Sequence, residues 1–209
     1  MKSWLVRLGV LALLVLGVAA FHRSRTSRPS RVEMADKNGI LLLGNATEIE
    51  SLDPHLATGQ PEHWVITALF EGLVAPAEDD PDKEAPGVAL SWETQDSTRW
   101  IFKLRPEARW SDGVPITAED FVYSWKRILS PELAADYGQM LHLVKGGQAF
   151  NEGKITDFST VGVKALDKHT LEVTLEGPAP YFPGMLKHYA WFAVPRHAIE
   201  KFGPMTRRD

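Results

Sequence analysis

RWIFKLRPEARWSDGVPITAEDFVYSWKRIL, residues 99–129, is the stretch whose reading decides the fold. Trp100, Phe102 and Leu104 alternate with Ile101, Lys103 and Arg105, the period of two that a strand with one buried face requires. Ser111-Asp112-Gly113 and Pro115 supply turn chemistry. Thr117 then stands as a helix N-cap, with Glu119 and Asp120 in the first turn, where free N–H groups and the helix dipole favour negative charge. Phe121, Val122, Trp125, Ile128 and Leu129 follow at helical spacing and share one apolar face. Ser130-Pro131 marks its end. A strand, a tight loop and a capped amphipathic helix are therefore expected to pack as one unit around three tryptophans, with the helix over 118–129.

Outward from that unit, Val88 to Glu93 and Arg99 to Leu104 read as a hairpin around Asp96-Ser97. Val161, Val163 and Ala165, then Leu171, Val173 and Leu175, alternate around Asp167-Lys168-His169 and predict a second hairpin. A helix is expected from Pro131 to about Leu143, a polar loop from Gly146-Gly147, and a short helix over Tyr181 to His188. Trp191 to Val194 reads as a short strand and Pro195 to Phe202 as a helix closed by Gly203. Towards the N-terminus, the unbroken apolar run Ile40 to Gly44 predicts a strand buried on both faces. Leu52-Asp53-Pro54-His55 ends it with a turn, and Pro61 opens a helix in which Trp64, Val65, Ala68 and Leu69 share a face.

Composition bounds the class. The 209 residues are 44% hydrophobic and 24% charged, a globular balance with enough apolar material for a real core. A net charge of −4 gives no reason to expect nucleic acid as a partner. With no Cys, disulfides, thiolate chemistry and a lipid-modified N-terminal cysteine are excluded. Lys2 and Arg7 precede a fourteen-residue apolar run, Leu8 to Phe21, short for a bilayer span at about 1.5 Å rise per residue. Val18-Ala19-Ala20 has the small residues of a signal-peptide cleavage site, so residues 1–20 are read as a signal peptide cut after Ala20. Arg23, Arg25, Arg28 and Arg31 just beyond suit the alternative, an uncleaved anchor. Either way the rest is expected outside the inner membrane, in the periplasm, with residues 21–38 a disordered lead-in.

Motifs for catalysis are missing. His22, His55, His63, His142, His169, His188 and His197 show no compact ligand spacing, and each reads as a turn or surface histidine. There is no G-x-S-x-G elbow. Asp79, Asp80, Asp82 and Glu84 lack the glycine and closing Glu of a calcium loop and read as a solvated acidic loop. Glu48, Glu50 and Asp53 are candidate paired acids of an envelope hydrolase, though strand-end carboxylates ordinarily face water. No catalytic residue, metal site or cofactor is expected.

W-x-F-x-L-R-x-x-A-x-W-S-D-G-x-P-x-T-A-x-D-F-V-Y-S-W-x-R in the opening stretch resembles the signature region of the family 5 solute-binding proteins, the periplasmic oligopeptide- and dipeptide-binding components of ABC importers. GNATEIESLDPHLATGQPEH, ALFEGLV and VGVKALDKHTLEVTLEGPAPYFPGML extend the likeness over nearly all of the chain after the lead-in. The resemblance implies an α/β fold: the N-terminal part of a class II periplasmic-binding-protein fold. Residues 39–70 would be the first part of lobe I, 71–194 an inserted α/β subdomain with hairpins, and 195–209 the start of a return to lobe I. The second lobe would be absent from the 209 residues, as in a truncated product. It further implies a monomer that captures extended peptides through backbone contacts and delivers them to ABC permease subunits. Membrane contact would come only through an uncleaved N-terminal segment.

The ligand-binding residues carried over are Thr58, Gly59 and Gln60, after the LDPH turn, with Tyr137 and Met140 as further candidates in the region after the signature helix. Gly59 is expected to let a ligand backbone approach closely. The oligopeptide branch carries Glu immediately before that glycine, whereas this chain has Thr58. Loss of the carboxylate removes a charge-assisted contact of about 1.5–3 kcal/mol, which opens the way to a non-peptide cargo such as a nickel chelate or a sugar. A membrane-tethered envelope interaction domain is the remaining alternative. One lobe alone is expected to hold peptide weakly, since one-sided contact rarely offsets the cost of association.

Overall fold

The computed structural model describes residues 4, 13–19, 21, 29–45 and 47–203. The proposed cleavage point at Ala20, the arginines at 23, 25 and 28, and residues 204–209 lie outside them. Among the described residues no helix is long and apolar enough to cross a membrane. The chain divides into two compact units, 1–45 and 46–209.

In the first unit, residues 13–19 are helical and a second helix runs over Arg31–Lys37. Ser30 Oγ accepts from the Glu33 amide at 3.1 Å, and the Glu33 carboxylate accepts from the Ser30 amide at 2.6 Å. This reciprocal cap gives local order where a disordered lead-in is expected. Ile40 to Gly44 is not the doubly buried strand its composition suggests. It has no regular structure, with Leu41 80% and Leu43 82% exposed. A strand needs neighbours for its N–H and C=O groups, and none of the described strands pairs with it.

The second unit opens with helix α1 (Gln60–Leu69), followed by β1 (Val74–Pro76) and β2 (Glu84–Pro86), which pair around the acidic loop. Lys187 Nζ donates to the carbonyls of Pro81 and Asp82, both at 3.0 Å, and so holds that loop. Strands β3 (Ala89–Thr94) and β4 (Arg99–Leu104) form the first expected hairpin, and β5 (Val163–Asp167) and β6 (Thr170–Thr174) form the second. The two join edge to edge through antiparallel β4–β6 pairing, with Trp100 opposite Val173 and Phe102 opposite Leu171. The result is one four-stranded sheet ordered β3-β4-β6-β5. Along β4, Trp100, Phe102 and Leu104 are buried and Lys103 is exposed, as the alternation requires.

Helix α2 (Ala118–Leu129) covers the buried face and packs on β5 and β6. The Thr117 amide donates to Asp120 Oδ2 at 2.7 Å, closing the helix start. Phe121, Trp125, Ile128 and Leu129 are fully buried from this helix. Trp125 meets Trp191 edge-on at 5.1 Å between ring centroids and donates its indole N–H to the Trp191 carbonyl at 3.0 Å. Phe182 touches the rings of Trp100, Phe102 and Trp191. Burial of each such side chain contributes about 1.5–3 kcal/mol.

Other expected elements differ in detail. After α2 the chain turns, Ala134 takes φ 51°, and a 3-10 helix over Asp136–Leu143 replaces the longer helix expected from Pro131. A left-handed residue cannot continue an α-helix. Gly146, at φ 72°, launches a short helix α3 (Gly147–Asn151) instead of a loop, because Phe150 is buried against Phe158 at 5.0 Å. The helix expected over 181–188 is confined to α4 (Phe182–Met185). Trp191 to Val194 is buried but not a strand. It follows a 3-10 turn at Tyr189–Trp191, and the Val194 amide donates to Ser124 Oγ at 2.8 Å rather than to another strand. Helix α5 (Arg196–Phe202) ends at Gly203, φ 88°, as anticipated.

Candidate functional site

The LDPH turn is built from its own side chains and then fastened from a distance. Ser51 Oγ accepts from the Asp53 amide and Asp53 Oδ1 from the His55 amide, both at 3.0 Å. The Asp53 carbonyl accepts from the Leu56 and Ala57 amides, closing the turn. Asp53 is fully buried, contrary to the water-facing carboxylate expected, and Glu48 and Glu50 are exposed. Its partner is Arg127 on the last turn of α2, which donates Nη1 to Oδ1 at 2.9 Å and Nη2 to Oδ2 at 2.5 Å. Burial is tolerated because the two charges meet in bidentate geometry.

His55, expected on the surface of the turn, is buried too. Its Nδ1 lies 2.9 Å from Arg127 Nη1, and its Nε2 lies 3.1 Å from the Phe192 carbonyl. A guanidinium can only donate, so Nδ1 must accept and Nε2 must carry the proton. Burial first, and the Arg127 charge second, lower the His55 pKa to about 4 and keep the ring neutral. One arginine thus anchors both side chains of the turn.

The clamp delivers the predicted stretch to the surface. Ala57 is buried, its carbonyl accepting from the Tyr189 hydroxyl at 3.1 Å. Thr58 is exposed, its carbonyl accepting from the Tyr137 hydroxyl at 3.4 Å. Gly59 is half-buried and extended, φ −89° and ψ 154°, and Gln60 is exposed at the start of α1. The amide N–H groups of Thr58, Gly59 and Gln60 have no acceptor among the described residues. Thr58 and Gly59 border a cavity of about 330 Å³ that Glu48, Glu50 and Glu62 also line.

Thr58, Gly59, Gln60 and Tyr137 are therefore brought together, whereas Met140 leans on the large core instead. The space beside the Gly59 Cα is already taken. A Cβ there would stand 2.0 Å from Glu62 Oε2, and Glu62 is 6% exposed with Oε1 accepting from the Glu50 amide at 2.8 Å. On that side glycine admits Glu62.

Behind the stretch stands an aromatic group of which the sequence singles out Tyr137 alone as a site candidate. His188 stacks on Tyr189 at 4.2 Å, Tyr137 meets His188 edge-on at 5.1 Å, and His63 lies 5.7 Å from Tyr189. Burial lowers the His188 pKa, with His63 adding to the effect, and burial raises that of Tyr189. Together with Ala57, Ile66 and Phe192, Tyr189 forms a second small core. Its grip fixes which side of α1 faces inward: Glu62 and Ile66 are buried, whereas of the expected inner face Trp64, Ala68 and Leu69 are exposed and Val65 is half-buried.

Comparison with known proteins agrees with this architecture. The family described as "Bacterial extracellular solute-binding proteins, family 5 Middle" matches residues 83–205. Periplasmic oligopeptide-binding protein OppA of Escherichia coli (strain K12) is 46% identical over 206 residues, covering 97% of this chain and 36% of that protein. Periplasmic murein peptide-binding protein MppA of the same organism is 38% identical over 198 residues, covering 94% of this chain and 36% of that protein. The solved structure of Haemophilus influenzae OppA in complex with RPPGFSPFR superposes with a TM-score of 0.71 at 37% identity, over 77% of this chain and 31% of that one. The chain thus spans little more than a third of the length of the curated relatives it matches. The match takes in the sheet and its covering helix, and the chain belongs to the family 5 bacterial extracellular solute-binding proteins.

Proposed function

We propose that the chain supplies one wall of a peptide-binding cleft in the solute-binding component of an ABC importer. The cleft reads the main chain of an extended ligand through Thr58, Gly59 and Gln60. The observation that carries this reading is the row of unpaired amide N–H groups, extended at Gly59 and exposed at Thr58 and Gln60. An extended peptide offers carbonyls at strand spacing, and strand-like bonding gives affinity without regard to side chains. Each such bond contributes about 0.5–1.5 kcal/mol, so fixed geometry matters more than any one contact. The Arg127 clamp and the two tyrosine hydroxyls support that fixity. Binding and release involve no covalent step, and the partners are the peptide and the permease subunits, met by a monomer in the periplasm.

One wall leaves the ligand half in water, so the 209-residue chain should hold peptide with a dissociation constant of about 1 mM or weaker. The test is titration with short peptides, free and N-acetylated, followed through backbone amide resonances. Shifts should concentrate at residues 58–60, disappear in Thr58→Pro, which lacks the N–H, and depend little on acetylation. Unmoved resonances at these three amides would sink the reading, and micromolar affinity would overturn the one-wall account.

A further inference from the structure

Each carbonyl held by a tyrosine hydroxyl in the binding stretch shares a peptide plane with the N–H that follows it. In a trans unit the C=O and the N–H point opposite ways. Tyr189, donating to the Ala57 carbonyl at 3.1 Å, therefore aims the Thr58 N–H, and Tyr137, donating to the Thr58 carbonyl at 3.4 Å, aims the Gly59 N–H. Both rings converge on one side chain. His188 stacks on Tyr189 at 4.2 Å and meets Tyr137 edge-on at 5.1 Å. Its Nδ1 accepts from the Ala190 amide at 3.1 Å and so caps the 3-10 turn Tyr189–Trp191, which carries the Tyr189 ring. The amide can only donate, so Nδ1 is bare and the neutral ring keeps its proton on Nε2. A proton on Nδ1 would set donor against donor, and the cap would open.

We infer that His188 is a positioning residue of the binding stretch: its neutral ring keeps both tyrosines in place, and an added proton releases the Thr58 and Gly59 N–H groups from their common aim. The titratable groups around the ring are His63 on α1, Tyr137 on the 3-10 helix and Tyr189 on its own turn, with Glu62 beyond Tyr189. Lys187, next in the chain, is engaged by the carbonyls of Pro81 and Asp82. Burial first, and the charge of His63 second, hold the His188 pKa below the ordinary histidine value, and no carboxylate among the described residues offsets them. The cap is thus whole above about pH 6.5 and is lost as pH falls below it. The consequence for ligand rests on the reading that residues 58–60 bind a peptide main chain.

The test follows the amide resonances of Ala190, Thr58 and Gly59 in the ligand-free chain between about pH 8 and pH 5, above the range in which His55, with its pKa of about 4, takes up its proton. The three should shift together with the His188 ring resonances, at one midpoint below 6.5. His188→Asn, which keeps an acceptor in the place of Nδ1 and has no charge to gain, should leave all three flat. N-acetyl-tetraalanine amide, which does not titrate, is the binding probe. The unsubstituted chain should hold it about fivefold more weakly at pH 5 than at pH 7.5, the effect of one lost hydrogen bond, and the His188→Asn variant should hold it equally at both. Thr58 and Gly59 amides that stay still while the His188 ring titrates overturn the inference, a result the unsubstituted chain gives even where the variant fails to fold. So does a midpoint that disappears in His63→Gln, which would assign the proton to the neighbouring ring. If the amides follow His188 but the probe shifts them at no pH, the positioning role stands and the peptide reading falls.

Discussion

The sheet-and-helix body and the limb over residues 47–70 are held by different forces. In the body, Phe102, Phe121, Trp125, Phe182 and Trp191 are buried against one another, and the stabilisation is spread over much apolar area. The limb has a core of only four buried residues, Ala57, Ile66, Tyr189 and Phe192. Its position comes from directed contacts: Asp53 with Arg127, His55 with the Phe192 carbonyl, and two tyrosine hydroxyls with the carbonyls of Ala57 and Thr58. Spread burial tolerates small shifts. Directed contacts do not, and they answer to charge and pH, so the limb should be the more easily disturbed of the two.

The largest effect is expected in the body. Trp125→Ala removes a fully buried ring and its hydrogen bond to Trp191, and should cost about 3–5 kcal/mol in urea unfolding. A loss below about 1 kcal/mol would refute the central role given to that contact. In the limb, Asp53→Ala leaves Arg127 without its carboxylate and should cost about 3 kcal/mol. The double variant Asp53→Ala/Arg127→Met should recover part of it. Simple additivity of the two losses would show that the pair is not coupled.

Acid should then separate the two regions. The His55 pKa is lowered from 6.5 to about 4, so the unfolded chain binds this proton more readily than the folded one. The stability it protects is whole above about pH 6.5 and is lost as pH falls towards 4, by roughly 3 kcal/mol in all. His55→Gln should flatten that part of the pH profile, and an unchanged profile would contradict the buried neutral ring. The smallest effect concerns Gly59→Ala. At φ −89° alanine is unstrained, so the cost of about 1 kcal/mol arises from the clash with Glu62. Adding Glu62→Ala should relieve it.

How much of this is legible in the amino-acid sequence follows the same division. Trp100, Phe102 and Leu104 announce their strand, and Thr117 with Asp120 announces the helix start, because those signals are local. The hairpins around Ser97 and Lys168 are legible for the same reason. Their union through β4 and β6 is not, since Arg99 and Glu172 meet across 73 residues. Ile40 to Gly44 has the composition of a buried strand, yet composition cannot supply a neighbour. In α1, Trp64 and Ile66 are both large hydrophobic side chains. The choice between them is made by Tyr189, which reaches Ala57 across 132 residues. Thr58, Gly59 and Gln60 are candidates only through family likeness, whereas the Asp53–Arg127 clamp has no local signature at all.

The join between β4 and β6 also bears on the order of assembly. As the chain emerges during synthesis, β3 can zip onto β4 at once, but the other edge of β4 stays open until residues 170–174 arrive. For that interval the nascent protein displays a bare strand, a template on which neighbouring chains can aggregate. Arg99 and Lys103, which later meet Glu172 and Thr170 on β6, set positive charge along that waiting edge. The same side chains that complete the sheet thus guard it against the wrong partner while it is half made.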